Sequence, residues 1–261
     1  MTFKGFGKQF SKKLTTRDSK IPDISTQRAV ELSNFVKSTW DKSAKNYRIK
    51  AEKEYGSHLL EAHSLIFLAL TDLLGHKAGI PGKTNNSIGE RLMLITNFAQ
   101  GLIYTEKLIS EGQHIKASAA LKQDIEILTR ICEINKGVSK EGRVPNVKYA
   151  PGNLKEHYGD MNNIAHISKA YVLQNICTTL VSKDINGVSI FPLFHAEETK
   201  KLYELHISLC YMVTTQAIDL LKEMYGDDDE LLLPACKLLI AAKNLLEKAG
   251  WVFSIDTADA V

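Results

Sequence analysis

The chain has 261 residues, 44% apolar and 24% charged, proportions of a globular protein with a substantial core rather than of a disordered one. Net charge is only +3, but residues 1–20 carry +5 (Lys4, Lys8, Lys12, Lys13, Arg17 and Lys20 against Asp18), leaving about −2 on the rest. No continuous apolar run marks a secretory signal or a membrane span, since even Leu59–Leu74 contains Glu61, His63 and Asp72. A soluble protein is expected.

Three regions are expected: an N-terminal arm (1–22), a helical bundle (23–250) and a loosely held tail (251–261). In the arm, Phe3, Phe6, Phe10 and Leu14 fall at helical spacing among Lys4, Lys8, Lys12 and Lys13. Such a basic amphipathic stretch suits an anionic membrane surface or a nucleic-acid backbone. With Gly5 and Gly7 inside, it equally suits an arm that docks on protein or stays flexible.

Thr26–His76 reads as one very long helix or two joined near Tyr47, with Leu59, Ala62, Leu65, Ile66, Ala69 and Leu73 on its apolar face. Breakers at 76–83 mark a loop, and Ser87-Ile88-Gly89-Glu90 is a capping box for the next helix. A helix over Ile115–Asn135 follows, then an irregular connection over Val138–Asn153. Helical spacing resumes around Tyr158 and across Ala170–Val181. Asp184–His195 is a non-helical link whose Ile190-Phe191-Pro192-Leu193-Phe194 would plug the bundle. Strong helical patterns cover Ala196–Tyr225 and about Asp229–Ala249, the second delayed by Pro234 if its start obeys proline's preference for the first turn. No strand pattern stands out, and no period of 30–47 residues suggests a solenoid. The expected fold is an all-α single-domain bundle of six to seven helices, with an up-and-down core and no sheet.

Cys132, Cys177, Cys210 and Cys236 are scattered singly in apolar helical patterns, which suits core thiols in a reducing, cytoplasmic setting. No metal or cofactor is expected. Glu111-Gly112-Gln113-His114 is a single Glu-x-x-His at an expected helix break beside Gly112, with no second copy to complete a di-iron site. Glu54 and His58 pair as surface groups, whereas Glu61/His63 and Glu204/His206 are two apart and diverge on a helix. Gly82-Lys83-Thr84 lacks the first glycine and preceding strand of a phosphate loop.

The strongest local signal is Tyr158-Gly159-Asp160-Met161-Asn162-Asn163-Ile164-Ala165-His166-Ile167-Ser168, which places Asn162, Asn163 and His166 one turn apart. On the preceding helix, Gln123, Glu126 and Arg130 form a polar line beside the core stripe Leu121, Ile125, Leu128 and Cys132. They either face inward to meet His166, or form an exposed Glu126–Arg130 pair worth about 0.2–0.5 kcal/mol. His166 is either catalytic or a buried histidine satisfied by Asn162, Glu126 or a carbonyl.

The helix Ala117–Arg130 with the Tyr158–Ser168 segment resembles uncharacterised bacterial helical proteins related to the HEPN superfamily (higher-eukaryote and prokaryote nucleotide-binding domain). The resemblance spans roughly Ile115–Leu180. It implies an up-and-down bundle, often dimeric, and in active members metal-independent RNA cleavage in toxin or antiphage systems. Those nucleases are similar to one another in an Arg followed, after four to six intervening residues, by a His, the His moving protons and the Arg stabilising the phosphorane. Met161, Asp160 and Gly159 occupy that interval before His166, and none of the six arginines precedes any His at that distance. Lys107 and His114 have the separation, but lysine lacks the bidentate fork.

Two functions of different class follow. One is an interaction or structural module in a larger bacterial assembly such as a defence or toxin–antitoxin system, associating with itself or another protein. The other is an HEPN-like RNase with a rearranged site of His166, Arg130, Glu126 and Asn163, with Asn162, Gln123 and Tyr158 binding. The nuclease requires His166, Arg130 and Asn163 to converge on one accessible cleft.

Overall fold

The computed structural model describes residues 23–166, 170–182 and 185–253; the basic arm and the last eight residues lie outside this range. Among the described residues the fold is helical, with one small hairpin. The order is α1 (Asp23–His76), α2 (Asn86–Ser110), α3 (His114–Asn135), α4 (Leu154–Ala165), α5 (Ala170–Cys177), β1 (Thr178–Ser182), β2 (Ile185–Val188), α6 (Ala196–Tyr225) and α7 (Asp229–Lys248). A single 3-10 turn, Val147–Tyr149, interrupts the long connection before α4. Contacts divide the chain into a unit through Ser43, on which Val30, Leu32 and Phe35 are exposed, and a second unit from Ala44 onward.

In the second unit α3 is central, packing on α2, α4 and α6, while α6 also packs on α2 and α7. The core is built from the expected stripes: Leu59, Ala62, Ile66, Ala69 and Leu73 of α1, Ile95 and Phe98 of α2, Leu121, Ile125 and Leu128 of α3, and Leu202, Leu209 and Ala217 of α6 are all buried. An 18-residue window in Gln27–His76 is apolar enough to cross a membrane by length and composition. Yet the apolar face over 59–73 is closed by protein, as expected of a core helix.

The expected break in α1 moves from Tyr47 to Gly56, whose φ of 75° and ψ of 160° leave the helical region. Only glycine enters that region without a Cβ penalty. At α2 the capping box is displaced: Asn85 is the cap, its Oδ1 accepting from the Ile88 N–H at 2.8 Å, and Ser87 falls inside the first turn. Asparagine caps as well as serine does, and two residues earlier it gains half a turn of helix. The delayed start expected for α7 is also corrected. Asp228 caps it, accepting from the Leu231 N–H at 3.1 Å, so Pro234 lies inside the helix.

The absence of strands is overturned in one place. The helix expected over Ala170–Val181 ends at Cys177, and β1 pairs antiparallel with β2, Thr178 opposite Val188 and Leu180 opposite Asn186. The β-branched run Thr178, Thr179, Val181 resists helix and favours an extended pleat. The loop expected at 76–83 is present and tied down, Tyr225 Oη donating to the Ile80 carbonyl at 2.7 Å. The 190–194 segment covers the α2–α3 turn: Tyr47 stacks on Phe194 and donates to the Pro192 carbonyl at 3.2 Å. Gly112, at φ 74°, lies so close to the Leu193 carbonyl that a Cβ would approach it to 2.9 Å. After α7 the Trp251 N–H closes back on the Leu246 carbonyl at 3.0 Å, and Trp251 and Phe253 pack on the core.

Candidate functional site

The polar line of α3 and the polar segment of α4 do meet, but without His166 or Arg130. Tyr158 of α4 donates to Glu126 Oε1 at 2.8 Å, and Lys122 reaches the same oxygen at 3.0 Å with its ammonium over the Tyr158 ring. The Glu126 bond lifts the Lys122 pKa; burial first, then Glu126, lifts that of Tyr158. This is a closed charge-assisted knot between two helices. Gln123 is exposed and takes no part in it.

Arg130 turns away from Glu126 toward the loop after α3. It donates to Glu133 Oε2 at 2.8 Å, to the Lys140 carbonyl at 3.3 Å and to the Arg143 carbonyl. Glu133 also accepts from the Asn146 N–H at 2.7 Å. Two side chains one turn apart thus hold three backbone groups of an irregular segment.

The polar segment does not open a helix as its pattern suggested: it is the second half of α4. His166 is the C-cap residue, its N–H bonded to the Asn162 carbonyl at 3.1 Å, and its side chain is exposed rather than buried. Glycine at 159 and paired asparagines at 162 and 163 weaken helix propensity, which fits a termination here. Ile167 and Ser168 lie outside the described residues. Asn163 faces a different feature, a cleft of about 1210 Å³. Its walls are α4, α5, α6 and the segment after α7, with Tyr171, Tyr211, Trp251 and Phe253 alternating with His157 and His195. Phe253 lies 5.6 Å from Tyr211 and 6.4 Å from Trp251, ring centre to ring centre.

A separate polar group, not anticipated from spacing, sits between α1 and α6. Tyr203 is fully buried and stacks on Tyr55 at 3.7 Å. Its hydroxyl is 2.9 Å from His63 Nδ1, which leaves buried His63 Nε2 without a hydrogen-bond partner. The ring of His206 lies 5.1 Å from that of His63, and Cys210 Sγ is 3.7 Å from His206 Nε2. Candidate ligand atoms of His63, His206 and Cys210 all fall within 4.8 Å of one another. Burial holds both imidazoles neutral, at about 4 for His63 and about 3 for His206 (helped by His63), and pushes the Cys210 thiol up, reinforced by Asp124 and Glu106. Of the four cysteines only Cys210 is the buried core thiol expected; Cys132, Cys177 and Cys236 are half-buried.

The i, i+4 pair His206 and Cys210 was legible in the sequence, whereas His63 lies over 140 residues away and the pairing depends on how α1 crosses α6. A second buried histidine, His114, shares a 2.9 Å hydrogen bond with Thr199 and lies 5.5 Å from the ring of His195. Desolvation first, then His195, lowers its pKa to about 4. No family model, curated protein or solved structure matches the chain.

Proposed function

We propose that this chain is a helical interaction module whose cleft between α4–α5 and α6 receives a short amphipathic segment of a partner protein. The observation that carries this reading is the composition of that cleft. Tyr171, Tyr211, Trp251 and Phe253 supply the large rigid surfaces that dominate binding energy at protein contacts, and His157, Asn163 and His195 supply polar groups between them. At about 1210 Å³ it exceeds the roughly 300–1,000 Å³ of sites built around one small molecule. An extended peptide or two helical turns fits the space.

The nuclease alternative is weaker because its groups are spent elsewhere. Arg130 is committed to Glu133 and loop carbonyls, Glu126 to Lys122 and Tyr158, and His166 stands exposed at a helix end. A phosphorane needs a preorganised cation and a proton carrier at one point. The partner's place in a bacterial defence or toxin–antitoxin assembly remains part of the same proposal, inherited from the HEPN resemblance.

Selection from a displayed peptide library tests the reading. Wild type is expected to enrich peptides with apolar residues at helical or alternating spacing, and Trp251→Ala or Tyr211→Ala to weaken them at least tenfold with the fold intact by circular dichroism. Metal-independent RNA cleavage in EDTA, lost in His166→Ala, would replace it with the nuclease.

A further inference from the structure

The group between α1 and α6 has the chemistry of a metal site. We propose that His63 Nε2, His206 and Cys210 Sγ bind one zinc(II) ion that fastens α1 to α6.

Three features of the geometry support this. First, the ligands are of the right kind: two imidazoles and a thiolate form a borderline-soft set that suits zinc. Second, the spacing is close to what coordination needs. Zinc bonds of about 2.0–2.1 Å to nitrogen and 2.3 Å to sulfur set a tetrahedral N···S edge near 3.5 Å. The Cys210 Sγ to His206 Nε2 separation is 3.7 Å, and one ligand atom from each of the three residues lies within 4.8 Å of the other two. Third, His63 is already held as a ligand would be. Its Nδ1 is engaged by the Tyr203 hydroxyl at 2.9 Å, and the nitrogen left over is buried and unpartnered. A ligating histidine ordinarily donates its second N–H to such a neighbour, which fixes the tautomer and turns the ring. Tyr203 is itself fixed by its stack on Tyr55 at 3.7 Å.

A buried Nε2 without a hydrogen-bond partner is costly in a folded interior, and in the tautomer whose Nδ1–H donates to the Tyr203 hydroxyl its lone pair is available to a cation. On binding, the Cys210 S–H bond breaks, its proton leaves to solvent, and an S–Zn bond forms. Two neutral imidazoles, one thiolate and Zn²⁺ sum to a single positive charge. Asp124, itself buried, and Glu106 lie close enough to act electrostatically on Cys210 and, once ionised, would offset that charge. The fourth tetrahedral position is left to a water or a carboxylate.

The test uses the full chain, refolded with Co²⁺ in place of the spectroscopically silent Zn²⁺, and separately with Zn²⁺ for metal analysis. One equivalent of either metal is expected. Cobalt should give a thiolate-to-metal charge-transfer band, and zinc should raise Tm by on the order of 5 °C over the chelated protein. Cys210→Ala should abolish the band and Cys236→Ala should keep it. Tyr203→Phe, a positioning substitution, should keep the band but weaken the metal on the order of 10–100-fold. Wild type that refolds yet shows neither band nor a chelator-sensitive Tm overturns the site. A band that survives Cys210→Ala and disappears in Cys236→Ala overturns it as well.

Discussion

Replacing Arg130 by Ala should unfold more than a surface ion pair would explain. Most exposed pairs contribute about 0–1 kcal/mol, because water solvates both partners once they separate. Arg130 and Glu133 are different: their side chains are only 13% and 6% exposed, and the guanidinium also serves two loop carbonyls. Truncation leaves Glu133 as a nearly buried charge whose remaining partner is the Asn146 N–H. Losing one member of a buried pair costs about 3–5 kcal/mol; the remaining exposure and the surviving Asn146 bond place Arg130→Ala near 3 kcal/mol. For a chain of this size that lowers Tm by roughly 6–12 °C. Urea melts of wild type, Arg130→Ala, Glu133→Gln and the double variant measure it as a cycle, with a coupling of about 2 kcal/mol expected. Cleavage of the 138–149 loop by a protease should accelerate in both single variants. A loss under about 0.5 kcal/mol with unchanged proteolysis would refute the argument. It would also return Arg130 to the pool of cations free for catalysis.

The remaining predictions are simpler. Tyr55→Phe should be neutral or stabilising by up to about 1 kcal/mol in a urea melt, because the buried Tyr55 hydroxyl has no hydrogen-bond partner to lose. Gly112→Ala should cost about 2 kcal/mol or more by the same assay, combining positive φ with a 2.9 Å approach to the Leu193 carbonyl. Burial raises Asp124 to about 7, opposed by its Thr105 hydrogen bond, so its contribution is complete below its ordinary value of 3.8 and is lost as pH rises through 7. Asp124→Asn should flatten that decline, worth up to about 4 kcal/mol between pH 4 and 8, and an unchanged slope would refute the assignment. His114, lowered to about 4, acts oppositely: its contribution is present above 6.5 and lost as pH falls toward 4. His114→Gln should remove about 2 kcal/mol of acid sensitivity, read from melts at pH 7 and pH 4.5.

Helix content and core faces were legible because burial imposes a period that the sequence repeats, as in Leu121, Ile125 and Leu128. Ends were less so. Ser87 and Asn85 both can cap, and the choice between them depends on where α2 packs. The β1–β2 hairpin is too short to produce a pattern of its own beside a helical flank. At the site, contacts within one helix or between neighbours in sequence could be read in part: Glu126 does bridge α3 to the next helix, but through Lys122 and Tyr158 rather than Arg130 and His166. Spacing carries no information on long-range pairings, which is why His63, Tyr203 and Cys210 were not grouped. Nor does it reveal that Trp251 and Phe253 would fold back to wall the cleft.

The stack of Tyr55 on Tyr203, with His63 bonded beside it, has a consequence for how α1 finds its place. An interface of leucines and alanines tolerates a slide of one helical turn, about 5.4 Å, with modest loss, since one apolar side chain replaces another. The same slide would pull His63 from Tyr203 and strand two polar groups among hydrocarbons. Tyr203 and His63 therefore act as an alignment key, admitting a single register of the longest helix and penalising the near-misses that its repetitive apolar face would otherwise accept.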